Sequence, residues 1–327
     1  MLRSGAQVWC SWQVHHDRCA PGRTIGRLAE MSLTMSVRSS TIIGPTHVSK
    51  QQDETILTAP LFAELDGKLV ELLESLSPAE WRLPTIVPKW TVKHIAAHLL
   101  DTALRRLSFG RDGEPGPSIV ITSDRDLAVF INGLNAKGVD VYGSLSPRVL
   151  ISMTRIAVRD LHEYLSSLDP MGAAPWGVSW AGETRSQAWF DVARELTERW
   201  HHQQQIRVAV DRPGIMTPRL YGPVLECFMR ALPYAYRSVQ ASAGTVLEVR
   251  ISGECGGSWR IRKDEQGWSA LGGTVPSEIH AATTVPQELA WRIFTKGISR
   301  AEARPHLVIS GDERIAAAVL DMIAIVA

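Results

Sequence analysis

Four stretches of the chain repeat apolar residues at the three- and four-residue spacing of an α-helix. The predicted helices cover residues 57–76, 91–109, 147–168 and 186–210. Proline-containing breaks end three of them, and Thr91 is suited to cap the second. Because the intervening loops are longer than in a minimal bundle, this arrangement predicts a four-helix bundle with crossover connections.

The pattern changes after a further helical stretch that runs from Pro218 to about Val239. Polar and apolar residues then alternate between glycine-rich breaks, as in antiparallel strands. We predict strands at 245–252, 258–262, 268–271, 279–284 and 306–310, with helices at 286–296 and from 312 onward. The predicted fold class is therefore α + α/β, with a helical bundle over 55–240 and a small α+β domain over 241–327.

The first 54 residues show no sustained helical or strand period and are predicted to be a disordered N-terminal extension. The extension contains residue types that bind metals, but their spacing matches no common site: Cys10, His15, His16 and Cys19. Met31 and Met35 leave open whether residues 1–34 are translated.

Charge and composition exclude several classes of protein. The 35 basic and 34 acidic residues give a net charge of +1, which does not favour a nucleic-acid-binding surface. No apolar run reaches the ~20 residues of a membrane-spanning helix. The four cysteines form no CxxC pair, and a reducing compartment fits them best. We predict a soluble, cytoplasmic protein without nucleic-acid or membrane partners, whose oligomeric state the sequence does not indicate.

Histidines and glutamates on two of the predicted helices form a candidate metal site. The second helix carries His94 and His98, and the fourth carries Glu195, Glu198 and His202 along one side. One histidine from the second helix and a Glu-x3-His pair from the fourth would supply three ligands of the types that suit zinc. Three protein ligands leave one coordination position open, as in catalytic sites.

A structural interpretation of the same residues stays open at this point. His94 and His98 lie opposite the apolar stripe of their helix, which is typical of a solvated face. The fourth helix has apolar residues on several sides, and these favour burial of Glu198 and His202. A buried carboxylate is costly unless it is paired or bound to a cation. The Glu-x3-His spacing alone is a weak signal.

Two segments of the bundle resemble a known family. Residues 90–99 (WTVKHIAAHL) resemble one conserved segment of the DinB-like superfamily, and residues 198–207 (ERWHHQQQIR) resemble its partner segment. Within that superfamily the chain is most similar to the mycothiol-dependent maleylpyruvate isomerase family. Residues 258–261, 267–268 and 308–312 resemble the sterol-carrier-like C-terminal domain of that family. The resemblance covers about 57–327.

The resemblance implies a divalent metal, zinc or a similar ion, held by His98, Glu198 and His202. His94 and His201 are the rival donors. One position departs from the family pattern, because Gln205 stands where many members have an acid. An amide cannot accept a proton as a carboxylate does, so the departure puts maleylpyruvate isomerisation itself in question.

The resemblance also implies a low-molecular-weight thiol, mycothiol or an equivalent, as cosubstrate for isomerisation or thiol transfer on a small electrophilic molecule. Glu195 is a candidate to accept a proton or orient a ligand. An acidic substrate would need a cation, and the candidates are Arg207, Arg304 and Arg314. Trp176, Trp180 and Trp189 are suited to line an apolar pocket or the core.

Two other functions remain possible on the sequence: a non-catalytic metal-binding carrier and a metal-dependent hydrolase. Neither Cys227 nor Cys255 has a neighbouring histidine or lysine in the sequence that would activate it, so we do not expect a cysteine nucleophile.

Overall fold

The computed structural model describes residues 8–9, 55–117, 120–121, 123–272 and 278–325. Its helical part contains seven helices among these residues: α1 (Phe62–Ser75), α2 (Val92–Arg106), α3 (Asp124–Gly143), α4 (Pro147–Ser167), α5 (Ala188–Ala209), α6 (Pro218–Met229) and α7 (Leu232–Ala235). A π-helical turn, Leu107–Arg111, continues α2. Two short strands, β1 (Val8–Trp9) and β2 (Val120–Ile121), pair antiparallel.

A five-stranded sheet follows the helices, in the order β5-β4-β3-β6-β7. Its strands are β3 (Val246–Ser252), β4 (Gly257–Lys263), β5 (Trp268–Ala270), β6 (Ala281–Pro286) and β7 (Val308–Gly311). The pair β3 and β6 is parallel, and the other three pairs are antiparallel. Three helices accompany the sheet: α8 (Gln287–Phe294), α9 (Arg300–Ala303) and α10 (Glu313–Ala317).

Four predicted helices correspond to α1, α2, α4 and α5, with ends that shift by a few residues. The predicted strands are confirmed with similar shifts. The long loop predicted before residue 147 was wrong in one respect, because it contains the twenty-residue helix α3. This helix buries little of its surface, and its apolar residues therefore form no clear stripe along one face. Its start is nevertheless signalled by Ser123, whose hydroxyl accepts a hydrogen bond from the backbone of Asp126.

The core runs through the inner faces of α1, α2, α4 and α5 and continues into the sheet. Helix α5 is buried on nearly every side although much of its sequence is polar. Trp200 on this helix stacks on Tyr221 of α6, with ring centroids 4.2 Å apart, and meets Trp291 of α8 edge to face. The Tyr221 hydroxyl in turn donates to the Gln287 carbonyl. The packing therefore links the polar helix to the sheet region.

No helix in the described ranges is long and apolar enough to cross a membrane. The predicted disorder of residues 1–54 and the group of Cys10, His15, His16 and Cys19 lie outside the described residues, apart from Val8–Trp9.

Helix α3 packs on α2 at Gly138, where a Cβ atom would come within 2.2 Å of the Asp101 carboxyl. We expect Gly138→Ala to lower the free energy of unfolding by about 1–3 kcal/mol, because the carboxylate must be displaced from its ion pair with Arg105. Urea unfolding of the variant and the wild type measures this difference in the free energy of unfolding. Gly133→Ala is the matched control on the same helix. No atom lies within 4 Å of its Cβ position, and alanine there should stabilise by roughly 0.5–1 kcal/mol. Equal effects of the two changes would contradict this packing.

Candidate metal centre and cavity

Two histidines from different helices meet in the bundle. His98 projects from α2 and His202 from α5, and their Nε2 atoms lie 3.1 Å apart. Two nitrogen ligands of one tetrahedral zinc ion, with bonds of ~2.0–2.1 Å, are about 3.4 Å apart. The spacing of the two imidazoles therefore fits a shared ion.

The Glu198 carboxylate lies beside this pair. Its Oε2 is 3.6 Å from His202 Nε2, one helical turn away on α5. Taken together, the two distances place this oxygen no more than 6.7 Å from His98 Nε2. The side chain of Glu198 is 32% exposed, whereas that of His202 is only 12% exposed. The structure thus brings His98 and His202 into contact and places Glu198 beside His202, with the carboxylate on the more accessible side.

Burial determines the charge of these groups. It lowers the pKa of His202 to about 3, with the neighbouring His201 adding to the effect. Burial also lowers the pKa of His98 well below its usual range and raises that of Glu198. Both imidazoles are therefore neutral near pH 7, which is the form that binds metals.

Hydrogen bonds separate the rival histidines from the pair. His94 Nδ1 accepts a hydrogen bond from the backbone N–H of Thr91 at 3.1 Å, so this ring helps to cap α2. His201 Nδ1 donates to the Thr197 carbonyl at 2.9 Å. His201 still offers a donor atom within 4.8 Å of those of Glu198 and His202. Among the described residues His201 is thus the stronger rival, because Glu198, His201 and His202 form a close donor group that does not include His98.

The fit to a metal rests on the donor set itself. Two neutral imidazoles and a carboxylate are ligands that zinc accepts, and they converge without a cationic side chain hydrogen-bonded to any of them in the described ranges. Trp90 covers the pair from one side, with its ring centroid 5.1 Å from that of His98.

A cavity of about 210 Å³ opens on this site. Its lining includes the three candidate ligands, Glu195, four arginines, and apolar side chains from α3 and from the segment before α5. Trp176 and Trp180 are part of the wall, as predicted for an apolar pocket. Trp189 is not, because it stacks on Phe190 in the core.

Ion pairs hold the cavity arginines. Asp191 accepts hydrogen bonds from Arg106 of α2 and from Arg194 of α5, the latter at 2.8 Å. Both guanidinium groups lie within 6 Å of the Trp176 ring centroid. Burial raises the pKa of Asp191, but the two arginines outweigh it and lower the pKa overall. This carboxylate therefore stays charged and keeps two cations at one end of the cavity.

Glu195 faces the same cavity from α5, one turn before Glu198. Its side chain is buried, at 9% exposure, and its carboxylate forms no hydrogen bond or ion pair within the described ranges. A carboxylate in this position is available to exchange a proton with a bound molecule.

The prediction of Arg207 as a catalytic residue is not supported by its position. Its guanidinium donates to the carbonyls of Arg212, Pro213 and Lys68, and so it ties the end of α5 to α1. Arg304 pairs with Glu313, and Arg314 donates to the Gln240 carbonyl. All three arginines lie outside the cavity lining, because each is committed to local structure.

The two cysteines within the described ranges, Cys227 and Cys255, are free and buried. Burial raises the pKa of the Cys227 thiol to about 12. As expected from the sequence, neither is suited to act as a nucleophile.

The arginines at the cationic end of the cavity, Arg106 and Arg194, are not among the residues predicted from the sequence. A signal for the cationic end was present on α5, where Asp191, Arg194 and Glu198 recur at spacings of three and four residues. Arg106 could not be found in this way, because its partner lies on another helix.

Residues 62–207 match the family model of the mycothiol maleylpyruvate isomerase N-terminal domain. The helical part of the chain is similar to this domain family over these residues. The match confirms the resemblance drawn from the sequence and includes every candidate ligand.

The relatives and solved structures that the chain resembles are distant. The uncharacterized proteins MT0041 and Rv0036c of Mycobacterium tuberculosis are each 28% identical over 203 residues, covering 62% of this chain and 74% of theirs. A crystal structure of the mycothiol-dependent maleylpyruvate isomerase is 12% identical with a TM-score of 0.43, covering 75% of this chain and 91% of that one. The structure of a mutant of the mycothiol-dependent maleylpyruvate isomerase is 12% identical in sequence, with a TM-score of 0.45. That match covers 80% of this chain and 96% of the mutant's chain.

We expect the protein to bind about one equivalent of Zn²⁺ or Co²⁺ through the three converging side chains. His98→Ala and His202→Ala should weaken binding by at least about 100-fold, since even outer-shell changes cost 10–100-fold. His94→Ala is the control and should bind normally, because its ring caps α2. Isothermal titration calorimetry after chelator treatment measures these affinities.

His201→Ala separates the two possible ligand sets. Binding should survive this change if His98 is the third ligand. Loss of binding in His201→Ala together with normal binding in His98→Ala would replace His98 by His201.

Proposed function

We propose that the protein is a divalent-metal-dependent enzyme that uses a low-molecular-weight thiol to isomerise or modify a small electrophilic molecule. The observation that carries the proposal is the contact of His98 with His202, with Glu198 beside His202, in the lining of a cavity that also contains Glu195. Zinc or a similar ion, held by these three side chains, would lower the pKa of a thiol so that thiolate is available near neutral pH. The match to the mycothiol maleylpyruvate isomerase domain model supports mycothiol or an equivalent as that thiol.

Glu195 is our candidate for the proton acceptor. It faces the cavity one turn from Glu198 and makes no competing hydrogen bond within the described ranges. A thiol that enters the cavity loses a proton, and this carboxylate can take the proton and return it when the thiol leaves. Trp176 and Trp180 reduce the access of water to the reacting sulfur.

The acceptor would then bind toward the cationic end of the cavity. Arg194 lies two helical turns from His202 on α5, about 12 Å along the axis. Its guanidinium is partly accessible, at 17% exposure, while Asp191 holds it in place. A carboxylate on the acceptor can bind there while its electrophilic carbon lies near the metal ligands. For a cis-enoyl acid, addition of the thiolate would allow rotation, and elimination would return the trans isomer.

The reaction belongs in the cytoplasm on this proposal, because low-molecular-weight thiols stay reduced there. The two other functions named from the sequence, a carrier and a hydrolase, have no separate observation in their favour. A panel of thiols tested with maleylpyruvate and with an aryl halide acceptor distinguishes them. Turnover only with thiol and metal supports the proposal. Ester hydrolysis without thiol would support a hydrolase, and no turnover with any thiol would support a carrier.

Glu195→Gln should retain metal binding and lose thiol-dependent turnover by about 10²–10⁴-fold, because the amide cannot accept the proton. Steady-state rates at saturating thiol measure the loss. Glu163→Gln on the exposed side of α4 is the matched control and should be unchanged. A Glu195→Gln enzyme as active as this control would remove Glu195 from the mechanism.

Arg194→Gln should raise the KM of an acidic acceptor about 10–100-fold with little change in kcat, since a charge-assisted hydrogen bond is lost. The methyl ester of the same acceptor should respond far less. Arg304→Gln, which changes an ion pair outside the cavity, is the control. Equal losses on the acid and its ester would indicate that Arg194 has a structural role only.

A further inference from the structure

Gln205 makes a hydrogen bond that fixes the state of one candidate ligand. It is buried, at 4% exposure, and its side-chain oxygen lies 2.8 Å from His202 Nδ1. A carbonyl oxygen can only accept, so Nδ1 carries the proton in neutral His202. The other ring nitrogen, Nε2, is then left with a lone pair.

This lone pair faces the other two candidate ligands. His202 Nε2 lies 3.6 Å from Glu198 Oε2, a distance too long for a hydrogen bond. It lies 3.1 Å from His98 Nε2, so in the absence of an ion the proton of that contact belongs to His98. In the metal-free protein the lone pair of His202 Nε2 is thus matched by the His98 proton, and a cation that binds both nitrogens must displace that proton.

The two histidines differ in how firmly their tautomers are held. His98 Nδ1 is buried and has no hydrogen-bond partner among the described residues. No hydrogen bond at Nδ1 therefore opposes the transfer of the His98 proton from Nε2 to Nδ1, which His98 must undergo to become a ligand through Nε2. His202 needs no such change, because Gln205 already holds it in the ligand form.

We propose that Gln205 is a positioning residue, which presets His202 as the Nδ1–H tautomer and leaves His98 as the ring that changes tautomer when the ion enters. The proposal rests on the proposed function only in assigning an ion to this site. It also explains how the site can operate with an amide in place of an acid at position 205. A neutral acceptor sets the tautomer without adding a negative charge beside Glu198 and Glu195.

The tautomers can be observed directly in metal-free protein. Two-bond ¹⁵N–¹H correlation spectra of protein with ¹⁵N-labelled histidine distinguish Nδ1–H from Nε2–H, and single-histidine variants assign the signals. We expect Nδ1–H for His202 and Nε2–H for His98. The chain supplies internal controls in His94 and His280. Their Nδ1 atoms accept backbone N–H groups at 3.1 and 3.2 Å, so both rings should carry the proton on Nε2.

Addition of Zn²⁺ should then convert His98 to the Nδ1–H form and leave the tautomer of His202 unchanged. An Nε2–H form of His202 in the metal-free protein would overturn the proposal, because the amide would then present its N–H to the ring. A change of tautomer at His202 on zinc binding would overturn it as well.

Variants at position 205 test the consequence for affinity. Gln205→Met keeps the size of the side chain but removes the acceptor, and Co²⁺ binding should weaken about 10–100-fold. Gln205→Glu restores an acceptor and should bind Co²⁺ at least as tightly as the wild type. Gln204→Met, at the adjacent buried position, is the matched control and should bind normally.

Normal Co²⁺ affinity in Gln205→Met, or equal losses in it and in Gln204→Met, would contradict the positioning role. These measurements use neither thiol nor acceptor. A failure of the thiol chemistry therefore leaves their result intact, and a failure of the tautomer prediction leaves the thiol chemistry to be judged separately.

Discussion

The candidate metal centre depends on the antiparallel pairing of α2 and α5, and buried ion pairs flank the histidines at this contact. On one side Arg106 of α2 pairs with Asp191 of α5. Closer to the histidines, Arg199 of α5 pairs with Asp66 of α1 and reaches the Leu99 carbonyl next to His98. Removing one partner of a buried pair typically costs 3–5 kcal/mol, so these contacts restrict the register of the helices. That register is what places His98 Nε2 against His202 Nε2.

The opposite side of α5 packs against α6 and against α8, which accompanies the sheet. Trp200 of α5 stacks on the Tyr221 ring. The Tyr221 hydroxyl accepts a hydrogen bond from the backbone N–H of Trp291 in α8. The helix that carries Glu198 and His202 is thus positioned by contacts on both faces. A polar helix can be buried in this way only because nearly all of its polar groups find partners. Among those that do not, the Glu195 carboxylate faces the cavity.

Much of this arrangement could be predicted from the sequence, because periodicity reports on burial. The spacing of Glu195, Glu198 and His202 placed them on one side of a helix, and the family segments singled out His98. The sequence could not predict α3, which buries only a small part of its surface against α2 and therefore lacks an apolar stripe. It also misplaced Arg207, since a basic residue near a ligand in sequence can point along the helix end to backbone carbonyls instead.

The role of Gln205 shows why an unexpected residue is best judged from its contacts. In the sequence, Gln205 stands where many family members have an acid. A carboxylate can accept a proton, whereas an amide cannot. In the structure the Gln205 carbonyl makes the same orienting hydrogen bond to His202 Nδ1 that a carboxylate could make. Proton transfer, which an amide cannot perform, has a separate candidate in Glu195. Orientation and proton transfer are thus assigned to different side chains in this chain.

The central claim is that one divalent ion is shared by His98, Glu198 and His202. Anomalous diffraction at the zinc absorption edge, on crystals of protein purified without chelator and supplied with Zn²⁺, tests this directly. The account predicts one dominant peak about 2.0–2.2 Å from His98 Nε2, His202 Nε2 and a Glu198 oxygen, with a further position open to the cavity. A dominant peak bonded to His201 in place of His98, or no peak between α2 and α5, would contradict it.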